Sequence, residues 1–488
     1  MIFNSVTFLL FLPVVVALYW FLPTYPRRLM LLVGSLVFYA FWRWEFTLLL
    51  IVAAIVDYWC AISIEKRTDK VSRRRFLLFS LVINFGLLFY FKYLVFFSNS
   101  VVWALHIFGA TVEIPHLNII LPLGISFYTF ETTSYTVDVY RGHIKAERDF
   151  LTYATFLIYF PHLIAGPILR AAQILPQLET KKRFDWRYIS DGLGRVLEGL
   201  FLKVVLADNI SPWVDAAFAQ PISSLGVIDV FTMAFMFGFQ IYFDFSAYSH
   251  IAIGCAQMMG IEFPENFNFP YAASSFKEFW KRWHISLSAW IRDYLYLPLL
   301  GVKVSNNAAV GIGASLAVED NAPKRNKNVI LFLTWGIMGL WHGANWTFIF
   351  WGLYHATLIF VERMLQPLGK IKINQKLASF LGWSVTLPLV MLSWIPFRAK
   401  SMTEVFALFG KFFQARNYRV LGLNENTYVI AALVLTMGIL AYGIQTFLAG
   451  KQINTTLLTG LHILKYTTII LLVFTFLRPI SQFIYFQF

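Results

Sequence analysis

Nine histidines are spread over 488 residues, and one of them, His342, lies inside I-M-G-L-W-H-G-A-N-W-T-F-I-F-W-G-L-Y-H-A, a run apolar enough for the interior of a bilayer. A titratable ring at that depth is expensive unless it lines a cavity or has a partner, so it is a functional candidate by default. A neutral imidazole there can act as a general base. Gly343 beside it permits close approach of a ligand or another backbone, and Trp341 and Trp346 flank it. A packed, hydrogen-bonded interior histidine is the alternative reading.

A second candidate, His284, stands in F-K-E-F-W-K-R-W-H-I-S-L-S-A-W-I-R, residues 276–292. At about 100° per residue, Phe276, Phe279, Trp280, Trp283, Leu287, Trp290 and Ile291 form one stripe. Lys277, Lys281, His284 and Ser288 lie beside it. The pattern predicts an amphipathic helix lying in a membrane interface, its bases meeting headgroups or phosphates. A metal site is disfavoured. His342 and His355 are separated by about 1300° of helical rotation, roughly 220° net, so they face different ways, and neither H-E-x-x-H nor a set of cysteines accompanies them.

The elements that must position these residues are membrane spans. Apolar residues make up 58% of the chain, aromatics 18% and charged residues 14%, with a mean hydropathy of +0.63; a soluble domain carries about 25% charged residues. Windows such as Val6 to Leu22, Leu29 to Trp42, Thr47 to Ile64 and Phe76 to Phe97 are nearly uncharged. They are continuously apolar, which excludes a β-barrel pattern. The start, M-I-F-N-S-V, has no basic n-region, so the first span is expected to be retained. Cys60 and Cys255 both fall in apolar segments, which argues against a disulfide framework.

The net charge of +14 is carried by short inter-span loops, as expected for positive-inside topology and headgroup contact and not for nucleic acid. The most basic loop, Glu65 to Arg75, is expected in the cytoplasm, which places the N-terminus outside. In I-I-L-P-L-G-I-S-F-Y-T-F-E, Pro122 and Gly124 interrupt the run while Glu131 and Asp138 make it too polar for lipid, so a broken or re-entrant element buried in protein is expected. Pro161, Gly166 and Pro167 break the chain again before Arg170. Asp244 and His250 fall at membrane depth. Residues 301–328 are small, polar and glycine-containing and read as a mobile loop. No separate soluble domain, repeat or phosphate-binding G-x-x-x-x-G-K-[ST] loop is present, so residues 1–488 read as one integral membrane domain.

R-W-H-I-S-L-S-A-W-I-R-D-Y-L-Y followed by L-W-H-G-A-N-W resembles the signature of the membrane-bound O-acyltransferase family, in its bacterial alginate O-acetylase-like branch. The likeness extends to D-V-Y-R-G, F-P-H-L-I-A-G-P-I-L-R, Y-F-D-F-S-A-Y-S, E-N-F-N-F-P-Y and F-I-Y-F-Q-F. It implies an all-α polytopic fold of about 11 transmembrane helices, with re-entrant and interfacial helices around a central tunnel. Residues 301–328 depart from it, being longer than the G-G-N-R-G-like connection usual in that branch.

The resemblance places the family's catalytic histidine on His342 and its second histidine on His284. The chemistry expected is attack of an acceptor hydroxyl on the thioester of acetyl-CoA, a donor substrate and not a bound cofactor, with His342 taking the proton. Lys281 and Arg282 would hold donor phosphates, and Asn345 would donate to the developing oxyanion; Trp341 and Trp346 would line the substrate site. The resemblance further implies a bacterial inner-membrane protein that O-acetylates an extracytoplasmic polysaccharide, alginate or a related exopolysaccharide, through a serine-hydrolase-like (SGNH-type) partner. Peptidoglycan, cellulose or teichoic-acid D-alanylation are the alternative acceptor chemistries. A rival of another class is a proton-coupled transporter or flippase relaying protons through His342, Asp244 and Glu131.

Overall fold

The computed structural model describes residues 1–112, 117–180, 182–302, 325–365, 374–449, 451, 454–478 and 483. All regular elements among them are helical. Seven helical stretches are long and apolar enough to cross a membrane: 24–66, 70–107, 227–258, 346–365, 375–398, 425–448 and 455–475. The first of these is two helices end to end, Thr24–Arg43 and Thr47–Lys66. The fold groups into two compact units: 1–196 with 251–265 and 289–325, and 197–250 with 266–288 and 326–488. Most of the 301–328 segment lies outside the described residues; its last two residues begin the Lys327–His342 helix, capped by the Asn326 side chain.

In the first unit, Thr47–Lys66, Lys70–Leu88 and Ile125–Arg141 pack together. Their contact is polar. Asp57 accepts from Ser80 Oγ at 2.5 Å and from Asn84 Nδ2 at 2.9 Å. The Ile125–Arg141 helix is buried along nearly its whole length, as its glutamate, aspartate and threonines require. It starts where it does because Gly124 has φ +75° and no room for a side chain, a Cβ there falling 2.2 Å from Leu163 O. Glu131 is satisfied inside by His162 Nε2 at 3.0 Å and by the Leu169 N–H at 3.0 Å. The helix Phe150–Ile158 ends before Pro161, and Gly166 follows at φ +134°.

In the second unit, Ala217, Val230, Met233, Ala234, Ile395 and Leu408 form an apolar core. Lys203 bridges Asp208 at 2.9 Å and Asp244 at 2.8 Å. The Glu425–Leu448 and Thr455–Thr475 helices turn leucines such as Leu433, Leu440, Leu464 and Leu471 outward, a surface suited to lipid. Lys327–His342 and Trp346–Leu365 form a tight helical hairpin. A Cβ on Gly339 would sit 2.2 Å from Phe348 O, and one on Gly352 would sit 2.1 Å from Trp335 O. Small residues at the crossing let the two backbones touch.

The interfacial helix expected over 276–292 is not one helix. It runs as Phe276–Arg282 and Ile285–Ile291, separated at Trp283 and His284, and continues as a π-turn, Arg292–Tyr296. Its aromatic stripe is buried in protein, with Phe279, Trp283 and Leu287 no more than 1% exposed. The reason is tertiary pairing: Asn268 N–H donates to Arg282 O at 2.9 Å and Ile285 N–H to Asn266 O at 2.9 Å. Those bonds pull the backbone of His284 to φ +42°, a left-handed conformation that non-glycine residues rarely adopt.

Candidate active site

The W-H-G-A-N-W-T stretch is the turn of the helical hairpin. Lys327–His342 ends at His342 because Gly343 is extended, with φ −158°. Gly343 must be glycine, since a Cβ would lie 2.1 Å from the Phe348 ring. Asn345 then starts the next helix, its Oδ1 accepting from the Thr347 N–H at 3.1 Å, an N-cap bond. The His342 ring is buried at the foot of the first helix, 4.9 Å edge-on from Trp351 and 5.4 Å from Phe397.

His284 is wholly buried in the same unit. Its Nδ1 lies 3.1 Å from Asn266 Oδ1. That oxygen also accepts from the Ser286 hydroxyl at 2.9 Å, while Asn266 Nδ2 donates to Ser249 Oγ at 3.0 Å. The amide orientation is therefore fixed, and His284 must donate through Nδ1, which leaves the lone pair on Nε2. Nε2 has no hydrogen-bond partner among the described residues. Burial pushes the pKa of His284 down to about 3, so the ring is neutral and an acceptor.

Trp341 joins the two histidines. Its ring lies 6.4 Å from His284 and 4.9 Å from His342, so the two imidazoles are no further apart than the sum of those separations. Two imidazoles flanking one indole in an aromatic enclosure offer ring nitrogens that can accept a hydrogen bond or take up a proton. The enclosure also contains Trp351, whose indole Nε1 is buried without an acceptor among the described residues, a state that costs on the order of 1–3 kcal/mol and favours a ligand that accepts from it.

The other residues singled out in the sequence fall elsewhere. Arg282 is engaged by Glu278 at 2.8 Å and by Asn268 O at 3.2 Å, so its guanidinium holds the fold around His284. Lys281 is exposed. Asn345 spends its Oδ1 on the cap, and its Nδ2 lies 3.4 Å from Lys400 O, so its side chain has a structural task. Trp346 faces outward at 53% exposure. Asp244 is held by Lys203 and Glu131 by His162. Asn266 and Trp351 were not singled out as candidates; Asn266 stands in E-N-F-N-F-P-Y, a stretch that is marked only by its resemblance and not by any chemical pattern.

The sequence profile of the membrane-bound O-acyltransferase family matches residues 36–318, a segment that contains His284 and stops short of His342. The chain is 38% identical over 455 residues to the probable alginate O-acetylase AlgI of Azotobacter vinelandii, covering 92% of this chain and 86% of that protein. It is 34% identical over 436 residues to the peptidoglycan O-acetyltransferase of Helicobacter pylori, covering 82% and 78%. A more distant likeness, 31% over 252 residues, is to the teichoic acid D-alanyltransferase of Bacillus subtilis, covering 50% of this chain and 59% of that one. The chain belongs to the membrane-bound O-acyltransferase family. It is an O-acyltransferase and a multi-pass membrane protein.

Proposed function

We propose that this enzyme moves acetyl groups from cytoplasmic acetyl-CoA across the bacterial inner membrane for O-acetylation of an extracytoplasmic polysaccharide, alginate or a related exopolysaccharide. The observation that carries the reading is the pair His284 and His342 on either side of Trp341 in one buried enclosure. His342 takes the proton of the acceptor hydroxyl as its oxygen attacks the thioester carbonyl. The C–S bond then breaks and the thiolate leaves protonated by the imidazolium. His284 Nε2 accepts a hydrogen bond that positions the hydroxyl, and the Trp351 N–H, in place of Asn345, donates to the developing oxyanion. The N-terminus and the final acceptor face outward, and an SGNH-type partner passes the acetyl group to the polymer. The Helicobacter relative favours peptidoglycan as the second reading of the acceptor.

The test is acetyl-CoA turnover by purified protein together with the acetyl content of the cell's polymers. We expect His342→Ala to lower turnover about 10²- to 10⁴-fold and to abolish polymer acetylation. Trp351→Phe, which keeps the ring and removes the N–H, should lower turnover about 10²- to 10³-fold. Polymer acetylation that survives His342→Ala would leave the family but remove the catalytic assignment. A wild type without thioester turnover would favour the transporter.

A further inference from the structure

We infer that Glu362 is a positioning residue: by fixing the register of the helix Phe276–Arg282 on the helix Trp346–Leu365, it sets the place of His284 relative to Trp351. The inference rests on the catalytic reading of those two side chains and adds a group that no sequence motif marks. Glu362 stands near the end of Trp346–Leu365, a helix long and apolar enough to cross a membrane, where an ionisable side chain needs a task. Its task is specific. Glu362 Oε2 accepts from the backbone N–H of Phe276 at 2.8 Å and from that of Lys277 at 3.2 Å.

The first N–H groups of a helix have no partner within it. In Phe276–Arg282, Ser275 Oγ accepts from the Glu278 N–H at 3.1 Å, and Glu362 takes those of Phe276 and Lys277, so part of the cap comes from another element 86 residues away. Glu362 Oε1 also lies 3.6 Å from Lys277 Nζ, but that lysine side chain is 36% exposed, and a pair of this kind contributes little. The backbone bonds are the substance of the contact.

At 100° per residue, Trp351, His355 and Glu362 fall within about 40° of one another around their helix, so a single stripe meets Phe276–Arg282. Along it the Trp280 ring lies 5.8 Å from Trp351 and 5.0 Å from His355, and the Phe279 ring stacks on His355 at 6.3 Å. Apolar ring contacts are non-directional and allow sliding. Two N–H groups aimed at one carboxylate oxygen do not. A slip by one residue would shift the helix by about 1.5 Å and carry His284 with it, since that ring follows directly after Arg282 and Trp283. Asn266 and Asn268 tie the far end of the segment; Glu362 ties the near end to the helix that carries Trp351. A displacement of about 1 Å between groups that act on the reacting atoms costs on the order of 10²-fold in rate.

The experiment measures acetyl-CoA kinetics per folded molecule in nanodiscs for Glu362→Ala, Glu362→Gln and Glu362→Asp, each in the wild-type and the His284→Gln background. Glu362→Ala should lower kcat about 10- to 100-fold while KM for acetyl-CoA moves less than about 3-fold. Glu362→Gln keeps an acceptor oxygen at the same reach and should recover most of the loss, whereas Glu362→Asp keeps the charge on a shorter side chain and should not. The reverse order would assign the effect to the ion pair with Lys277 and overturn the proposal. In the His284→Gln background Glu362→Ala should cost less than about 3-fold, because the ring it positions is gone. Equal losses in both backgrounds, or a loss confined to the yield of folded protein, would leave Glu362 a structural residue only and overturn the positioning role. Should Glu362→Ala fail to fold, the contrast between Gln and Asp decides the matter. Failure of the catalytic reading shows separately: if neither His284→Gln nor Trp351→Phe lowers turnover, that reading falls and the positioning role falls with it.

Discussion

At the scale of single residues, His284 is held neutral by burial, its pKa pushed down to about 3, and oriented by Asn266. The unfolded ring titrates near 6.5, so below that pH the unfolded chain binds a proton that the folded chain refuses. Stability is therefore complete above about pH 6.5 and falls by about 1.4 kcal/mol per pH unit as the pH drops toward 3. Thermal melts between pH 7.5 and 4.5 should show wild type losing more stability than His284→Gln, with the gap opening below pH 6.5. Parallel pH profiles would mean that the ring is not buried neutral. The turnover profile should show no inflection near pH 6.5 from this group. The candidacy of His342 is legible in the sequence because L-W-H-G-A-N-W puts a titratable ring in an apolar run. The environment of His284 is not, because the amide that fixes its tautomer comes from 18 residues away and an asparagine between phenylalanines carries no signal of that role.

At the scale of elements, the expected break at Gly124 appears where the glycine puts it, and the break expected around Pro161 comes slightly earlier, the helix ending at Ile158, since such residues act on their own and the preceding backbone. The expected helix over 276–292 failed for the opposite reason. Its amphipathic period is real, and the stripe is buried, but backbone bonds from Asn266 and Asn268 override local propensity at Trp283 and His284. The helical hairpin gives the sharper test. Gly336, Gly339 and Gly352 look alike in the sequence, yet a Cβ on Gly352 would strike Trp335 O at 2.1 Å while one on Gly336 would meet only the Leu353 side chain at 3.8 Å. Gly352→Ala must separate two backbones and displace His342, at a cost of about 1–3 kcal/mol, with turnover reduced. Gly336→Ala should be neutral or stabilising by up to about 1 kcal/mol from helix propensity. Melting temperature and turnover of the two variants check this, and equal effects would contradict the close crossing.

At the scale of the whole molecule, the proposals of an outward N-terminus and of a cytoplasmic donor both depend on the orientation of the Glu65 to Arg75 loop. Composition made the spans legible, and the basic residues of this loop made one orientation preferable. The association of segment 251–265 with residues 1–196 is packing that no local pattern announces. Orientation can be measured without first removing native thiols, since Cys60 and Cys255 are both fully buried and a membrane-impermeant maleimide should leave them unmodified. Arg74 lies in the first turns of the Lys70–Leu88 helix, and the described residues give it neither an ion pair nor a hydrogen bond, so Arg74→Cys adds a single reactive thiol at little structural cost. We expect labelling of this variant only after the inner membrane is opened, and a thiol introduced at Asn4 to label in intact spheroplasts. Labelling of Arg74→Cys in intact spheroplasts would invert the chain, moving the Glu65 to Arg75 loop to the outer face and overturning the cytoplasmic side proposed for the donor.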